Sequence, residues 1–371
     1  MHQPVFLSGR NQEINVQAGF RWDVLAAEGP YLLEVTARSC FRVFLNGRIL
    51  YNGPARAAHG HARVDRLPLP MRAGAINAVA IEVNGYGAGG QSTTGEPAFV
   101  WAQVWQGDRV IATTQEDFVG LALPHRIPSP ERFSHARPVN EAYRLDGAYR
   151  TWTTAPVDTL PAVDVTPVPE DIRLIPRELP MPTFDKHYAV KRLGVQNAVR
   201  DPAVPVWQYF YETEEVVAGL PQRPAYERMQ DRFSAFSGTL RQEGTRFVFS
   251  GLSADVSLCL DLEELYCGFL GMSFTLPTEA VIDFCYIDKL SPDGEILPRS
   301  DDGCSCAIRL HCEAGTHRFE SMEPCEARYL RIHISGTTEL VIDEIYLKEY
   351  QYPDRQQGTF LCSDETINQI Y

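Results

Sequence analysis

Short apolar runs of β-prone residues, separated by turn residues, recur near both ends of the chain and constrain its fold more than any other feature. One pair consists of Phe41–Leu45 and Arg48–Tyr51, with Asn46-Gly47 between them. This dipeptide is a strong hairpin signal because a type I′ turn needs positive φ at both positions. Further runs of this kind follow at short intervals, so residues 1–120 are predicted to form an antiparallel β-sandwich.

The same pattern returns in the second half of the chain. The runs are Phe247–Phe249, Ser257–Leu262, Phe269–Phe274, Ala280–Tyr286, Ala307–Leu310, Tyr329–Ile334 and Glu344–Leu347. Their short length and regular spacing predict a second, jelly-roll-like β-sandwich over residues 233–352. The expected fold class is therefore mainly β, with two antiparallel sandwiches and no glycine-framed βαβ unit.

Between the two sandwiches, residues 121–232 are rich in proline. Eleven prolines lie between Pro124 and Pro182, and each fixes φ and removes a backbone donor. Aromatic residues such as Trp152 and Trp207 in the same stretch indicate packing, since a free linker would be polar. We interpret this stretch as an extended connector with some short strands.

The last residues predict a helix. Ser363 is a suitable N-cap, and Asp364 and Glu365 favour the positive end of a helix dipole. Ile367 and Ile370 fall on one apolar stripe. Residues 353–371 are interpreted as the start of a truncated helical domain, and the alternative is a short helix lying on the second sandwich.

Charge excludes some classes of function. The chain has 34 Lys+Arg and 48 Asp+Glu, a net charge of −14, whereas nucleic acids and anionic lipids are bound by clustered cations. No apolar run is long enough to predict a membrane helix. The start of the sequence lacks the features of a secretory signal, so we expect a cytoplasmic protein with reduced cysteines.

The densest cysteine group could form either a metal site or part of a buried strand. Cys304, Cys306 and Cys312 are separated by even spacings, and alternate residues of a strand point the same way. Zinc sites are usually built from CxxC-type knuckles instead. We therefore favour a buried strand face.

Several segments resemble one known family in their order along the chain. They are Gly53–Arg56, Arg63–Asp65, Arg132–Pro138, Glu141–Tyr143, Tyr266–Gly271, Asp288–Glu295, Ala327–Arg331, Phe360–Glu365 and Asn368–Tyr371. Together they resemble the β domains of bacterial α-L-rhamnosidases, glycoside hydrolase family 78, followed by the entry into that family's (α/α)6 catalytic barrel.

The resemblance implies a function for this chain as part of a larger enzyme. In that family the acidic general acid and general base lie in the barrel, which here would follow Tyr371, so no catalytic residue is assigned. The chain would then be the N-terminal accessory portion, inactive alone, that orients rhamnose-containing carbohydrate for inverting hydrolysis of terminal α-L-rhamnosides by a helical domain in cis. The alternative is a stand-alone carbohydrate-binding protein without catalysis.

Two groups of residues are candidates for carbohydrate binding. Asn84, Tyr86 and Gln91 lie in a glycine-rich stretch predicted to be a loop, and an aromatic ring with amides suits a pyranose ring and its hydroxyls. Arg56 and Asp65 could clamp sugar hydroxyls. The structural alternative for this second pair is an ion pair that fixes a loop at a domain boundary.

One acidic group is a candidate for calcium, and no other cofactor is predicted. Some accessory domains of the resembling family bind rhamnose through calcium, which takes several oxygen ligands. The candidate ligands are Asp288, Asp293, Asp301 and Asp302. The alternative is an ordinary turn at Ser291–Gly294.

Overall fold

The computed structural model describes residues 2–90, 93, 95–127, 139–169, 171–200, 231–297, 304, 306–353 and 358–370. These residues are mainly β, in antiparallel sheets that form sandwiches, which confirms the predicted fold class. Within these ranges, no helix combines the length and the apolar character that a membrane crossing requires.

Ten strands form most of the first sandwich. They are β1 Val5–Leu7, β2 Val16–Leu25, β3 Tyr31–Arg38, β4 Cys40–Leu45, β5 Arg48–Gly53, β6 His61–Leu69, β7 Ile76–Gly85, β8 Phe99–Gln106, β9 Arg109–Thr113 and β10 Val119–Ala122. The hairpin of β4 and β5 turns at Asn46 and Gly47, whose φ values of 51° and 77° confirm the predicted turn conformation.

Seven strands and one short helix follow in the proline-rich stretch and at its end. They are β11 Glu141–Leu145, α1 Gly147–Thr151, β12 Ala162–Val163, β13 Val165–Pro167, β14 Arg173–Pro176, β15 Lys186–Tyr188, β16 Lys191–Arg200 and β17 Asp231–Ala235. A 3₁₀ turn lies at Val157–Thr159.

Eight strands and a terminal helix complete the described chain. They are β18 Thr239–Glu243, β19 Arg246–Ser250, β20 Asp255–Leu276, β21 Ala280–Ile287, β22 Ala307–Cys312, β23 Gly315–Glu320, β24 Cys325–Ser335, β25 Leu340–Glu349 and α2 Glu365–Ile370.

The first sandwich consists of two sheets around one apolar core. One sheet has the order β13-β1-β8-β3-β6-β14, with β9 beside β8, and the other has the order β12-β10-β2-β7-β4-β5. Side chains such as Phe20, Val35, Val43 and Ile81 fill the space between them and are buried completely. The alternation of strand side chains directs every second residue into this core.

The second sandwich is organised by one long strand. The first half of β20 pairs with β16 and β24, and its second half pairs with β23 and β25. A register shift lies between Asp261 and Tyr266, and Glu263 there has a φ of 71°. The core includes Leu258, Met272 and others of the same cluster.

The strands of the connector add to both sandwiches. β12, β13 and β14 pair with β10, β1 and β6 of the first sandwich, whereas β11, β15 and β16 pair with β22, β25 and β20 of the second. The pairs β11–β22 and β14–β6 are parallel, although only antiparallel pairing was expected. The described part of residues 121–232 is thus incorporated into the flanking sheets because its backbone groups find partners at their edges.

The terminal helix begins one residue later than predicted. The Oδ1 atom of Asp364 accepts from the backbone N–H of Thr366 at 2.9 Å, so Asp364 occupies the capping position that we predicted for Ser363. Ile367 and Ile370 are 47% and 80% exposed. These two side chains are therefore exposed, and the interpretation of residues 353–371 stays a prediction.

Candidate functional site

The predicted glycine-rich loop begins later than expected, because β7 extends to Gly85. Asn84 is consequently a strand residue with no exposed surface. Tyr86 is also buried, and it packs with Val139, Ile14 and Cys40. The structure places both side chains in the interior, Gln91 lies outside the described residues, and carbohydrate binding by this group stays a prediction.

Asp65 and Arg56 differ in burial and in the contacts that the structure shows for them. Asp65 is buried and pairs with Arg177 at 2.9 Å, while the exposed Arg56 accepts a hydrogen bond at its backbone carbonyl from Arg63. Burial raises the pKa of Asp65, and Arg177 opposes that rise. Arg177 also donates to the carbonyl oxygens of its own segment. Asp65 thus forms an ion pair with Arg177, a partner that the prediction did not name, and carbohydrate binding by Arg56 and Asp65 stays a prediction.

The space around Asp65 explains the glycine that opens the Gly53–Arg56 segment. A Cβ atom on Gly53 would lie 2.6 Å from a carboxylate oxygen of Asp65 and 2.6 Å from the ring of Phe41. Gly53 therefore allows Asp65 to reach the interior.

Two of the predicted calcium ligands, Asp288 and Asp293, lie at the surface near the turn at 291–294. Asp288 and Asp293 are exposed, and the Ser291 N–H donates to the carbonyl of Glu295 at 2.9 Å. Asp301 and Asp302 lie outside the described residues. In the part of the chain that the structure describes, no group of three His, Cys, Asp or Glu side chains is arranged to hold a metal ion. Calcium binding stays a prediction.

The cysteine group belongs to the core of the second sandwich. Cys306 and Cys312 are buried in the same cluster as Ile308 and Leu310, and Cys304 packs against that cluster. The prediction of a buried face with alternating residues is confirmed, and burial raises the pKa of Cys312 to about 12.

A connected set of buried polar contacts lies between the two sandwiches, where the sequence analysis assigned no site. Arg42 on β4 and Glu82 on β7 are cross-strand partners that form a buried ion pair. Gln17 on β2 and His125 also contact the Glu82 carboxylate. Burial alone would raise the pKa of Glu82, but Arg42 and His125 lower it to about 2.

These residues connect directly to the second sandwich. The Arg42 guanidinium donates to the backbone carbonyl of Glu320 at 2.7 Å. Lys348 contacts the Glu320 carboxylate and donates to the side chain of Asn52 on β5 at 2.9 Å. We name the polar set of Gln17, Arg42, Asn52, Glu82, His125, Glu320 and Lys348, which are buried except for the half-buried Lys348, the interface layer.

A second part of the interface is centred on β11. Glu141 accepts hydrogen bonds from the backbone N–H groups of Met322 and Glu323, both at 2.9 Å. It also accepts from the Tyr143 hydroxyl at 2.5 Å. Burial raises the pKa of Glu323 to about 7, although the Arg56 charge opposes that rise. These contacts fix the segment after β23 against the connector.

The available sequence signal for this interface was the presence of charged residues inside apolar strand runs. Glu82 interrupts the run Ala78–Val83, and Arg42 interrupts Phe41–Leu45. A charge at such a position is buried only when it is paired. The carboxylates of Glu82, Glu141 and Glu320 are all engaged by cations or N–H groups, so the arrangement suits the fixing of one domain against another.

Comparison with known proteins bears on the fold. No family model matches the sequence, and no curated protein matches it. Among solved structures, a GH78 family rhamnosidase of Bacillus sp. GL1 matches 99% of this chain and 57% of its own, with a TM-score of 0.77 and 14% identity. The alpha-L-rhamnosidase from Dictyoglumus thermophilum matches 96% of this chain and 34% of its own, with a TM-score of 0.56 and 12% identity.

A third match comes from a fungus. The native α-L-rhamnosidase from Aspergillus terreus matches 99% of this chain and 38% of its own, with a TM-score of 0.55 and 14% identity. The chain thus spans about half or less of the rhamnosidases that it matches. Over nearly its entire length, this chain has the fold of a β-rich part of GH78 α-L-rhamnosidases.

Proposed function

We propose that this chain is the N-terminal accessory β portion of an α-L-rhamnosidase-like glycoside hydrolase. The observation that carries the proposal is the asymmetry of the structural match, which includes 99% of this chain but 57% of the rhamnosidase from Bacillus sp. GL1. The complete protein would hydrolyse terminal α-L-rhamnosides by inverting attack of water, with both catalytic carboxylates in a helical domain in cis.

The exposed apolar residues near α2 support a further packing partner. Phe360, Leu361, Ile367 and Ile370 are 46%, 87%, 47% and 80% exposed. Four large apolar side chains in one short segment favour burial against another domain. A helical domain in cis would supply that surface, and α2 would be its first turn.

The interface layer supports the accessory role. An accessory domain can orient a substrate for another domain only if its own parts hold a fixed relation to each other. The contacts of Arg42 with Glu320, and of Lys348 with Asn52, connect the two sandwiches through buried groups. We propose that this fixed pair of sandwiches forms one wall beside the helical domain.

An activity assay tests the division of labour. The 371-residue chain and a version extended by a helical domain in cis are assayed on an aryl α-L-rhamnoside. We expect turnover only from the extended version, with the β-anomer of rhamnose as the first product. Turnover by the 371-residue chain would contradict the proposal.

A binding experiment separates the accessory role from the stand-alone alternative. The 371-residue chain is titrated with rhamnose by calorimetry, with and without calcium, and calcium dependence would support Asp288 and Asp293 as ligands. Saturable binding by this chain, combined with no gain in rhamnosidase activity from a helical domain, would favour a carbohydrate-binding protein without catalysis.

A further inference from the structure

Arg126 is a buried cation at the interface between the sandwiches, and its charge has no carboxylate in direct contact among the described residues. Its Nη1 atom donates to the Tyr143 hydroxyl at 3.2 Å. Its Nε and Nη2 atoms are buried, and they make no hydrogen bond in the described structure. The residue is 3% exposed, so bulk water cannot solvate these two donors.

Unlike Arg126, the interface cations Arg42 and Lys348 each contact a carboxylate. Arg42 contacts the carboxylate of Glu82, and Lys348 contacts that of Glu320. Burial raises the pKa of Tyr143 well above its usual value, so the phenol that contacts Arg126 stays neutral. An unpaired buried charge is costly, which indicates a missing anionic partner.

The carboxylate of Glu141, which is linked to Arg126 through Tyr143, is already occupied by other donors. Glu141 reaches Arg126 only through the Tyr143 hydroxyl, which accepts from Arg126 and donates to Glu141. Its oxygens also accept the N–H groups of Met322 and Glu323. Glu141 therefore cannot also cover the Nε–Nη2 edge of Arg126 in this arrangement.

Asn84 supplies a second, independent observation. It is completely buried, and neither its Nδ2 nor its Oδ1 atom has a partner in the described structure. Its cross-strand neighbours are Gln17 on β2 and Cys40 on β4. The Gln17 side chain accepts from the backbone N–H of Arg126 at 3.1 Å, which brings the Arg126 segment to this end of β7.

Cys40 lies beside the backbone of Asn84, and its thiol is affected by the charge of Arg126. Its Sγ atom is 3.8 Å from the backbone carbonyl oxygen of Asn84, and the Arg126 charge opposes the strong rise that burial causes in the pKa of this thiol. The hydroxyl of Tyr86 lies 3.9 Å from the same sulfur. Gln17, which neighbours Asn84 across the sheet and accepts from the Arg126 backbone, thus brings the unpartnered donors of both residues into one buried neighbourhood.

We propose that a small monovalent carboxylate anion binds in this region, with its two oxygens on the Nε–Nη2 edge of Arg126 and a contact to the side-chain amide of Asn84. The Nε–Nη2 edge presents two parallel donors that match the spacing of carboxylate oxygens. One negative charge balances one unpaired cation. A divalent oxyanion would add a surplus charge beside Glu141 and Glu323.

The first experiment uses the unaltered protein with acetate as the probe. The carboxyl carbon of ¹³C-labelled acetate is followed by NMR, at constant ionic strength, as protein is added. We expect the acetate signal to broaden in proportion to the protein, and unlabelled formate to reverse the broadening. Unchanged signal at millimolar acetate would overturn the proposal.

The second experiment assigns the site by thermal unfolding. Acetate is expected to raise the Tm of the unaltered protein above that in chloride of equal ionic strength, because it binds the folded state. The substitution Arg126→Met removes the unpaired charge, retains much of the volume and should fold, since burying an apolar side chain there costs less than burying an uncompensated charge. We expect this variant to lose the acetate response.

Matched controls complete the test. The exposed residue Arg56 is close enough to act on Glu323, so Arg56→Gln tests general electrostatic effects and should retain the acetate response. Asn84→Ala should weaken it. A full response in Arg126→Met, or an Arg126-dependent response to sulfate as large as that to acetate, would contradict the proposal.

Discussion

The two faces of the sheet that contains β2, β7 and β4 are built from alternate residues of the same strands and differ in chemistry. One face carries Val43 and Ile81, which are buried in the core of the first sandwich. The opposite face carries Arg42 and Glu82, which are just as buried against the second sandwich. Equal burial therefore serves two purposes: the apolar face contributes non-directional stability, and the charged face fixes position through paired geometry.

The largest expected effect comes from breaking the charged face. Glu82→Leu leaves Arg42 as an uncompensated buried charge and should lower the free energy of unfolding by about 4 kcal/mol, measured by urea denaturation. Adding Arg42→Leu should recover part of that loss. A single-variant loss below about 1 kcal/mol, or simple additivity in the double variant, would show that the two charges are not coupled.

A cavity on the apolar face should cost somewhat less. Ile81→Ala is expected to lower the free energy of unfolding by about 3 kcal/mol, because it removes methyl groups from a closed core. Hydrogen exchange of the backbone N–H groups of Met322 and Glu323, which contact Glu141, then distinguishes the roles of the two faces. In Glu82→Leu we expect these two amides to exchange faster than global unfolding allows, whereas in Ile81→Ala we expect them to exchange only through global unfolding.

Acid dependence should distinguish the faces as well. The pKa of Glu82 is lowered from 4.5 to about 2 in the folded protein, so its stabilising contribution is present above pH 4.5 and is lost as pH falls towards 2. Between these pH values the free energy of unfolding should fall less steeply in Glu82→Gln than in the unaltered protein. Ile81→Ala should retain the original slope, and a changed slope there would contradict this assignment.

The smallest expected effect concerns Glu323, whose contribution to stability changes with pH in the opposite direction to that of Glu82. Its pKa is raised from 4.5 to about 7, so the folded state holds a proton that the unfolded state has released. Stability should therefore decline as pH rises from 4.5 to 7, by about 1 kcal/mol after allowance for the partial exposure of this side chain. Glu323→Gln should remove that decline, and an identical profile would show that the group titrates normally.

Much of the fold could be predicted because strand signals are local. The Asn46-Gly47 turn and the strand that contains Ala78–Val83 can each be recognised from a few consecutive residues. The partners of Arg42 were not predictable in this way, since Glu82 is 40 positions away and Glu320 is 278 positions away. Contacts over such separations depend on how the two sandwiches pack.

The candidate site was predicted less well for a related physical reason. The glycines after Asn84 indicated an exposed loop, whereas Ile14 and Val139 cover Tyr86 from distant parts of the chain. For Asp65 an ion pair was considered with Arg56 in view, whereas its partner Arg177 lies 112 positions away. A sequence pattern identifies a residue that needs a partner more easily than it identifies the partner.

The 22-residue strand β20 has a consequence for synthesis on the ribosome. Its partners extend from β16, which begins at Lys191, to β25, which ends at Glu349. The part of the second sandwich around the second half of β20 cannot close until β25 has left the exit tunnel, although the strands β1–β10 of the first sandwich emerge much earlier. Nascent chains should therefore hold the apolar stretches of β20 and β21 uncovered for many seconds at roughly 5–20 residues per second, which makes this interval the one in which chaperones are needed most.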